Sequence, residues 1–241
     1  MTTYEEYKLE FILHELREIY IYTYTLFENE LIPRIYDGFT KINDESEKHA
    51  QKVFEELCQK VTNPDIDPAD LAEQANDSGM DRFIELKYCE QYMTNFIIVL
   101  LSQIFEQQAY HFLYTHIDLS AKRGINWTDL KKEYSKAGID FSILDPADKL
   151  VEMRHLSNVI KHGKGSSYEA LLKINPKILG QVGILPTDLS EISFNPSFDF
   201  SPEVKLVKDD IKKYIQIPKE FWLKVYSIVA DDKDDYWTNK P

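Results

Sequence analysis

Apolar residues recur at three- and four-residue spacing along most of the chain, which predicts helices and little sheet. In residues 4–32, Leu9, Ile12, Leu13, Leu16, Ile19, Tyr20, Thr23 and Phe27 follow that spacing and predict one long helix. Pro33 is expected to end or bend it, because proline lacks the N–H that continues the ladder. A second helical segment is expected through about Lys60, on Phe39, Ile42, Val53, Phe54 and Leu57. Residues 62–80 carry two prolines, several acids and little apolar content, and read as a mobile connection with one short turn after Pro68. From Asp81 to about Ile117 comes the most apolar helix. Phe96, Ile97, Val99, Leu100, Ile104 and Phe105 make its centre hydrophobic nearly all round, so it should run through the core.

Residues 125–137 predict a short amphipathic helix that Gly138 ends. The firmest element lies at 146–162. Asp145 is a suitable N-cap, Pro146 suits the first helical position, and Gly163 suits the residue just past the end. A short helix is expected over 168–174, irregular structure over 175–202, and a short strand over 203–207. Residues 209–230 predict a final helix kinked near Pro218, and the last eleven residues should fray. The fold class is therefore mainly all-α. Residues 1–175 form a helical bundle, and 176–241 form a short irregular, β-containing appendage packed on it, the whole being one structural domain.

Composition narrows the function classes. With 241 residues, 43% of them hydrophobic, the chain can bury a sizeable core. Its formal charge of −13 opposes a protein that coats nucleic acid by bulk attraction and confines any such contact to a local basic patch. Cys58 and Cys89 form no CxxC pair, and the acidic amino terminus carries no targeting pattern, so a reduced cytoplasmic setting is expected. The apolar run at 96–101 is too short to span a membrane.

At about 100° per residue, Leu150, Met153, Leu156, Val159 and Ile160 share one side of the 146–162 helix. Arg154, His155, Asn158, Lys161 and His162 occupy an arc of about 120° on the other, with no acid among them. Reactive groups converging on one face mark a candidate site. Cations late in a helix are also what the helix dipole selects. Other chemistries are weakly supported. Lys164-Gly165-Ser166-Ser167 lacks the glycine spacing of a P-loop, and no GxSxG occurs. His111 and His116 miss the four-residue spacing of paired helical ligands, no cluster has zinc spacing, and no metal or cofactor is expected.

The stretch RHLSNVIKHG resembles the signature helix of the HEPN superfamily, helical-bundle proteins common among prokaryotic toxins and defence systems. Asn158 and His162 match that motif's asparagine and histidine in spacing. Ser157 stands where the family's arginine normally sits, and Arg154 lies one turn earlier. The resemblance implies an HEPN-like bundle and a metal-independent endoribonuclease of toxin or antiviral-defence type, leaving a 2′,3′-cyclic phosphate. It implies Arg154, Asn158 and His162 as the catalytic set, with Lys161, Lys164 and His155 contacting the substrate. It also implies a homodimer with facing signature helices, RNA as substrate, and an antitoxin or defence-system partner. A non-catalytic helical interaction module binding RNA, a nucleotide or a protein through the same face is the alternative.

Overall fold

The structure, a computed structural model, describes residues 4–62, 65–117, 124–145, 148–180, 204–231 and 237. Helices account for nearly all of it, and no strand forms among the described residues. The expected strand reduces to one antiparallel bridge between Leu179 and Val204. Val204 and Leu206 are buried with an exposed Lys205 between them, so the alternation that predicts a strand is present. It finds only a single pairing partner.

The first 34 described residues form one helical rod: α1 (Tyr4–Glu15), a π-helical stretch Leu16–Ile21, α2 (Tyr22–Leu26), a second π-helical stretch Phe27–Leu31, and α3 (Ile32–Asp37). Pro33 does not break it. Proline sits in the first turn of α3, directly after a π-helical turn that has already departed from regular i→i−4 bonding, so its missing N–H interrupts no regular ladder. The buried face is Ile12, Leu16, Tyr20, Tyr24, Phe27, Ile32 and Tyr36. Of the predicted set, Ile12, Leu16, Tyr20 and Phe27 lie on it, Leu9, Leu13 and Thr23 are half-buried, and Ile19 is exposed. Tyr24 is buried in place of Thr23.

α4 (Ile42–Lys60) and α5 (Pro68–Phe112) form an antiparallel hairpin, and α5 continues as a π-helical stretch, Leu113–Ile117. The connection expected at 62–80 is thus much shorter, and residues 68–80 are helical. Asp67 caps α5 by accepting the Ala69 N–H at 2.9 Å, with Pro68 in its first turn. The segment reads as polar because it packs on α4 alone. Its inward positions are small: Ala75 is buried, and Gly79 lies where a Cβ would come within 2.8 Å of Ala50 Cβ. Small side chains give helix contact without a hydrophobic stripe.

Further along, α5 enters the core with Ile97, Ile98, Leu101, Phe105 and Phe112. It runs antiparallel to the first rod. Tyr24 donates to Gln108 Oε1 at 2.7 Å, and the Tyr36 hydroxyl meets Thr94 Oγ1 at 2.6 Å. The tyrosines of the first rod therefore supply ring area to the core while their hydroxyls find polar partners on α5.

α6 (Trp127–Lys136) begins at Asn126, whose side chain accepts the Asp129 N–H at 3.0 Å, and ends before Gly138 at φ +77°. The short α7 (Phe141–Leu144) follows, then α8 (Lys149–His162), α9 (Ser166–Ile174), a 3-10 turn Pro176–Ile178, and α10 (Lys208–Asp231), which passes through Pro218. α10 lies at the centre of the molecule. Its Trp222 ring is 4.6 Å from Tyr20 and 5.6 Å from Phe112, and its Phe221 is 4.8 Å from Phe141. The carboxy-terminal region thus contributes core, and one apolar cluster runs from Ile12 to Trp237. Of the eleven-residue tail only Asp231, the last residue of α10, and Trp237 are described. Trp237 is buried, 5.9 Å from the Phe112 ring, so aromatic packing holds at least this point of a segment whose composition predicts fraying. The irregular segment expected at 175–202 lies largely outside the described residues, as does Pro146. No helix among the described residues is long and apolar enough to cross a membrane.

Candidate functional site

α8 starts three residues later than the sequence suggests, at Lys149. Asp148 takes a left-handed backbone at φ 49°, and the Asp145 carboxylate reaches across to accept the N–H groups of Lys149 at 2.7 Å and Leu150 at 2.8 Å. Asp145 still satisfies the helix start, from further away. Burial pushes its carboxyl above the ordinary range, with those two N–H groups opposing. The other end follows expectation: Gly163, at φ 71°, donates its N–H to Val159 O at 2.8 Å.

Leu150, Met153, Leu156 and Val159 are buried as the spacing requires, and Ile160 is half-buried. Two polar residues join them. Ser157, at 2% exposure, faces the packing. Glu152 is equally buried and accepts from Lys149 Nζ, from Asn175 Nδ2 at 2.8 Å and from the Tyr214 hydroxyl at 2.8 Å. Burial pushes the Glu152 carboxyl up, but the Lys149 ammonium, Asn175 and Tyr214 together hold it below the ordinary range.

The polar arc divides into two parts. Arg154 is tied inward: its Nε donates to Glu106 Oε1 at 2.6 Å and its guanidinium lies 5.6 Å from the Trp127 ring centre. Tyr110, one turn after Glu106, stacks on Tyr114 at 6.2 Å and donates to Ile125 O at 2.9 Å. Burial, then the Glu106 carboxylate, pushes the Tyr110 hydroxyl up, and Arg154 pulls it back. His155 is half-buried with Nδ1 3.2 Å from Ser167 Oγ, and burial followed by the neighbouring Arg154 lowers its pKa, favouring neutral imidazole. Asn158, also half-buried, sits between the two parts.

Lys161, His162 and Lys164 are exposed around Gly163, and the Lys164 ammonium lies 5.8 Å from the Tyr168 ring centre. Arg154 and His162 are separated by eight residues of one helix, about 12 Å along its axis. Arg154 is directed sideways onto α5 and α6, while His162 stands free at the helix end. An exposed imidazole beside two ammonium groups can attract a phosphate.

Sequence reading overlooked Glu106 and Trp127, the partners of Arg154. Nothing local signals them, because Glu106 sits 48 residues away in the chain. Glu152 was legible: it precedes Leu156 by four and Val159 by seven, placing it on the buried face. A third polar cluster joins the first rod to the end of α5 and the π-helical stretch that follows it. Buried Glu15 takes His116 Nε2 at 2.8 Å and His111 Nδ1 at 3.1 Å, and Tyr20 OH lies 2.7 Å from His111 Nδ1. Among the described residues no group of three or more His, Cys, Asp or Glu side chains is arranged to hold a metal ion. Comparison with protein-family models, with curated proteins and with solved structures returns no match for this chain.

Proposed function

We propose that the chain is an HEPN-like, metal-independent endoribonuclease of toxin or antiviral-defence type, working in the cytoplasm as a homodimer that an antitoxin or defence-system partner restrains. The observation that carries this reading is the exposed end of α8, where Lys161, His162 and Lys164 surround Gly163 in a chain of formal charge −13. On such a body, phosphate is drawn to this patch. His162 takes the proton of a ribose 2′-hydroxyl, whose oxygen attacks the adjacent phosphorus. The 5′-oxygen of the next nucleotide leaves with a proton taken from water, and a 2′,3′-cyclic phosphate remains. The lysines offset the charge that builds on the phosphorane. Asn158, one turn before His162, orients the imidazole, and His155 adds a contact to the substrate. Arg154 joins only by releasing Glu106.

A second reading is favoured by the Arg154–Glu106 ion pair and by the burial of Ser157, which together leave the family's arginine place without a guanidinium facing out. In it the same face binds RNA or a protein partner without cleaving. One experiment separates the two: incubation of wild type and His162→Ala with labelled single-stranded RNA, scoring both binding and cyclic-phosphate ends. Cleavage that His162→Ala abolishes supports the enzyme. Binding without cleavage by either protein supports the module, and neither binding nor cleavage removes both RNA readings.

A further inference from the structure

A cavity of about 560 Å³ opens between the start of α8, the 3-10 turn and the first half of α10, away from the exposed end of α8. Four of its lining side chains are lysines: Lys149, Lys177, Lys205 and Lys213. Two are already paired, Lys149 with Glu152 and Lys213 with Asp210 at 2.8 Å. Lys177 and Lys205 are exposed and make no ion pair among the described residues. That leaves four ammonium groups against three carboxylates, Glu152, Asp210 and Glu220, within a strongly acidic protein. Local cationic surplus on an acidic body marks a place for an anion.

The backbone fixes the two free lysines at one rim. Lys205 donates its N–H to Ile178 O at 2.7 Å, beside the Leu179–Val204 bridge. Gly180, at φ +111°, clears the path: a Cβ there would stand 2.6 Å from Lys205 Cε. The left-handed backbone there is what favours glycine. The floor is polar and rigid, since Glu152 is held by Asn175 and Tyr214. Tyr214 is the lone aromatic of the lining, and its hydroxyl is engaged below, so the cavity offers no open ring face on which a base would stack.

We propose that this cavity binds the phosphomonoester of a hydroxyl-rich small molecule, such as a sugar phosphate. The phosphate, carrying about −1.5 to −2 at neutral pH, sits between Lys177 and Lys205. The hydroxyls meet the side chains of Asn175 and Gln216, against an apolar wall of Ile178 and Ile217. A volume of 560 Å³ lies within the ordinary range for small-molecule sites.

The test is titration calorimetry of the full chain with ribose 5-phosphate, ribose and inorganic phosphate. Ribose 5-phosphate is expected to bind and ribose is not. The Lys177→Glu/Lys205→Glu double variant should bind about tenfold or more weakly with an unchanged melting temperature, and His162→Ala should bind as wild type does, which separates this site from the RNA reading. No heat with ribose 5-phosphate, or equal affinity in the double variant, overturns the proposal. Inorganic phosphate binding as tightly as ribose 5-phosphate overturns the hydroxyl-rich assignment.

Discussion

Arg154 of α8 donates its Nε–H to Glu106 of α5 at 2.6 Å, so the first cation of the polar arc is held by an acid from a neighbouring helix. The two side chains are 41% and 34% exposed, and a pair so open to solvent contributes only about 0.2–1 kcal/mol. Glu106→Gln is therefore expected to leave the denaturation midpoint nearly unchanged while freeing the guanidinium. If Arg154 serves the RNA reading, the variant should bind single-stranded RNA more tightly than wild type at low salt. Unchanged affinity in a filter-binding titration assigns Arg154 to helix packing alone.

A pH-dependent contribution to stability resides in Glu15. Burial pushes its carboxyl up, but the His116 hydrogen bond, then Tyr20 and the two histidine charges, more than offset this and hold it below its ordinary value of 4.5. A carboxyl lowered on folding stabilises the protein above the unfolded value, and that stabilisation is lost as pH falls through the folded value. Glu15→Gln should destabilise the protein by about 1–3 kcal/mol at neutral pH, the range for removing a buried charged hydrogen-bond partner. The gap between wild type and variant should narrow below about pH 4.5. Urea midpoints at neutral and acidic pH check this, and a gap that widens on acidification contradicts it.

The helices were legible wherever a stripe of large apolar residues met one continuous core, as in Leu16, Tyr20 and Phe27 on the first rod or Ile97 and Phe105 on α5. They were illegible where the contact used small residues. The pairing of Gly79 with Ala50 leaves no stripe, and residues 68–80 look like a loop in sequence. The polar arc of α8 was legible because helical period alone determines it. Its division into a tied half and a free half was not. That depends on Glu106 and Trp127, which no spacing rule links to Arg154.

The α4–α5 hairpin depends on that close approach. A Cβ at Gly79 would lie 2.8 Å from Ala50 Cβ and 3.2 Å from Ser46 O, atoms that cannot move without shifting α4. Gly79→Val should force the two helices apart at a cost of about 1–3 kcal/mol. Most of the apolar side chains of α4 are only half-buried, so its opening is expected to be local. Amide exchange should quicken in residues 42–60 while the core amides of α10 stay protected. Equal acceleration in both would show that the hairpin and the core unfold together.

The sharpest test of the endoribonuclease reading supplies the arginine which that reading expects at position 157. Ser157→Arg completes an Arg-Asn pair before His162 and on sequence grounds alone should create or raise RNA cleavage. Ser157, however, is 2% exposed and turned toward the packing together with Leu156 and Met153. A guanidinium there would overfill the site, at about 1–3 kcal/mol, and would also bury a charge with no carboxylate provided for it. The expected outcome is a lowered melting temperature and no gain in cleavage. The comparison is Ser157→Ala, which removes one hydroxyl and should stay within about 1 kcal/mol of wild type. If Ser157→Arg melts like wild type and cleaves RNA faster, then α8 turns this position outward when it works, and the arrangement in which Arg154 pairs with Glu106 is a resting one.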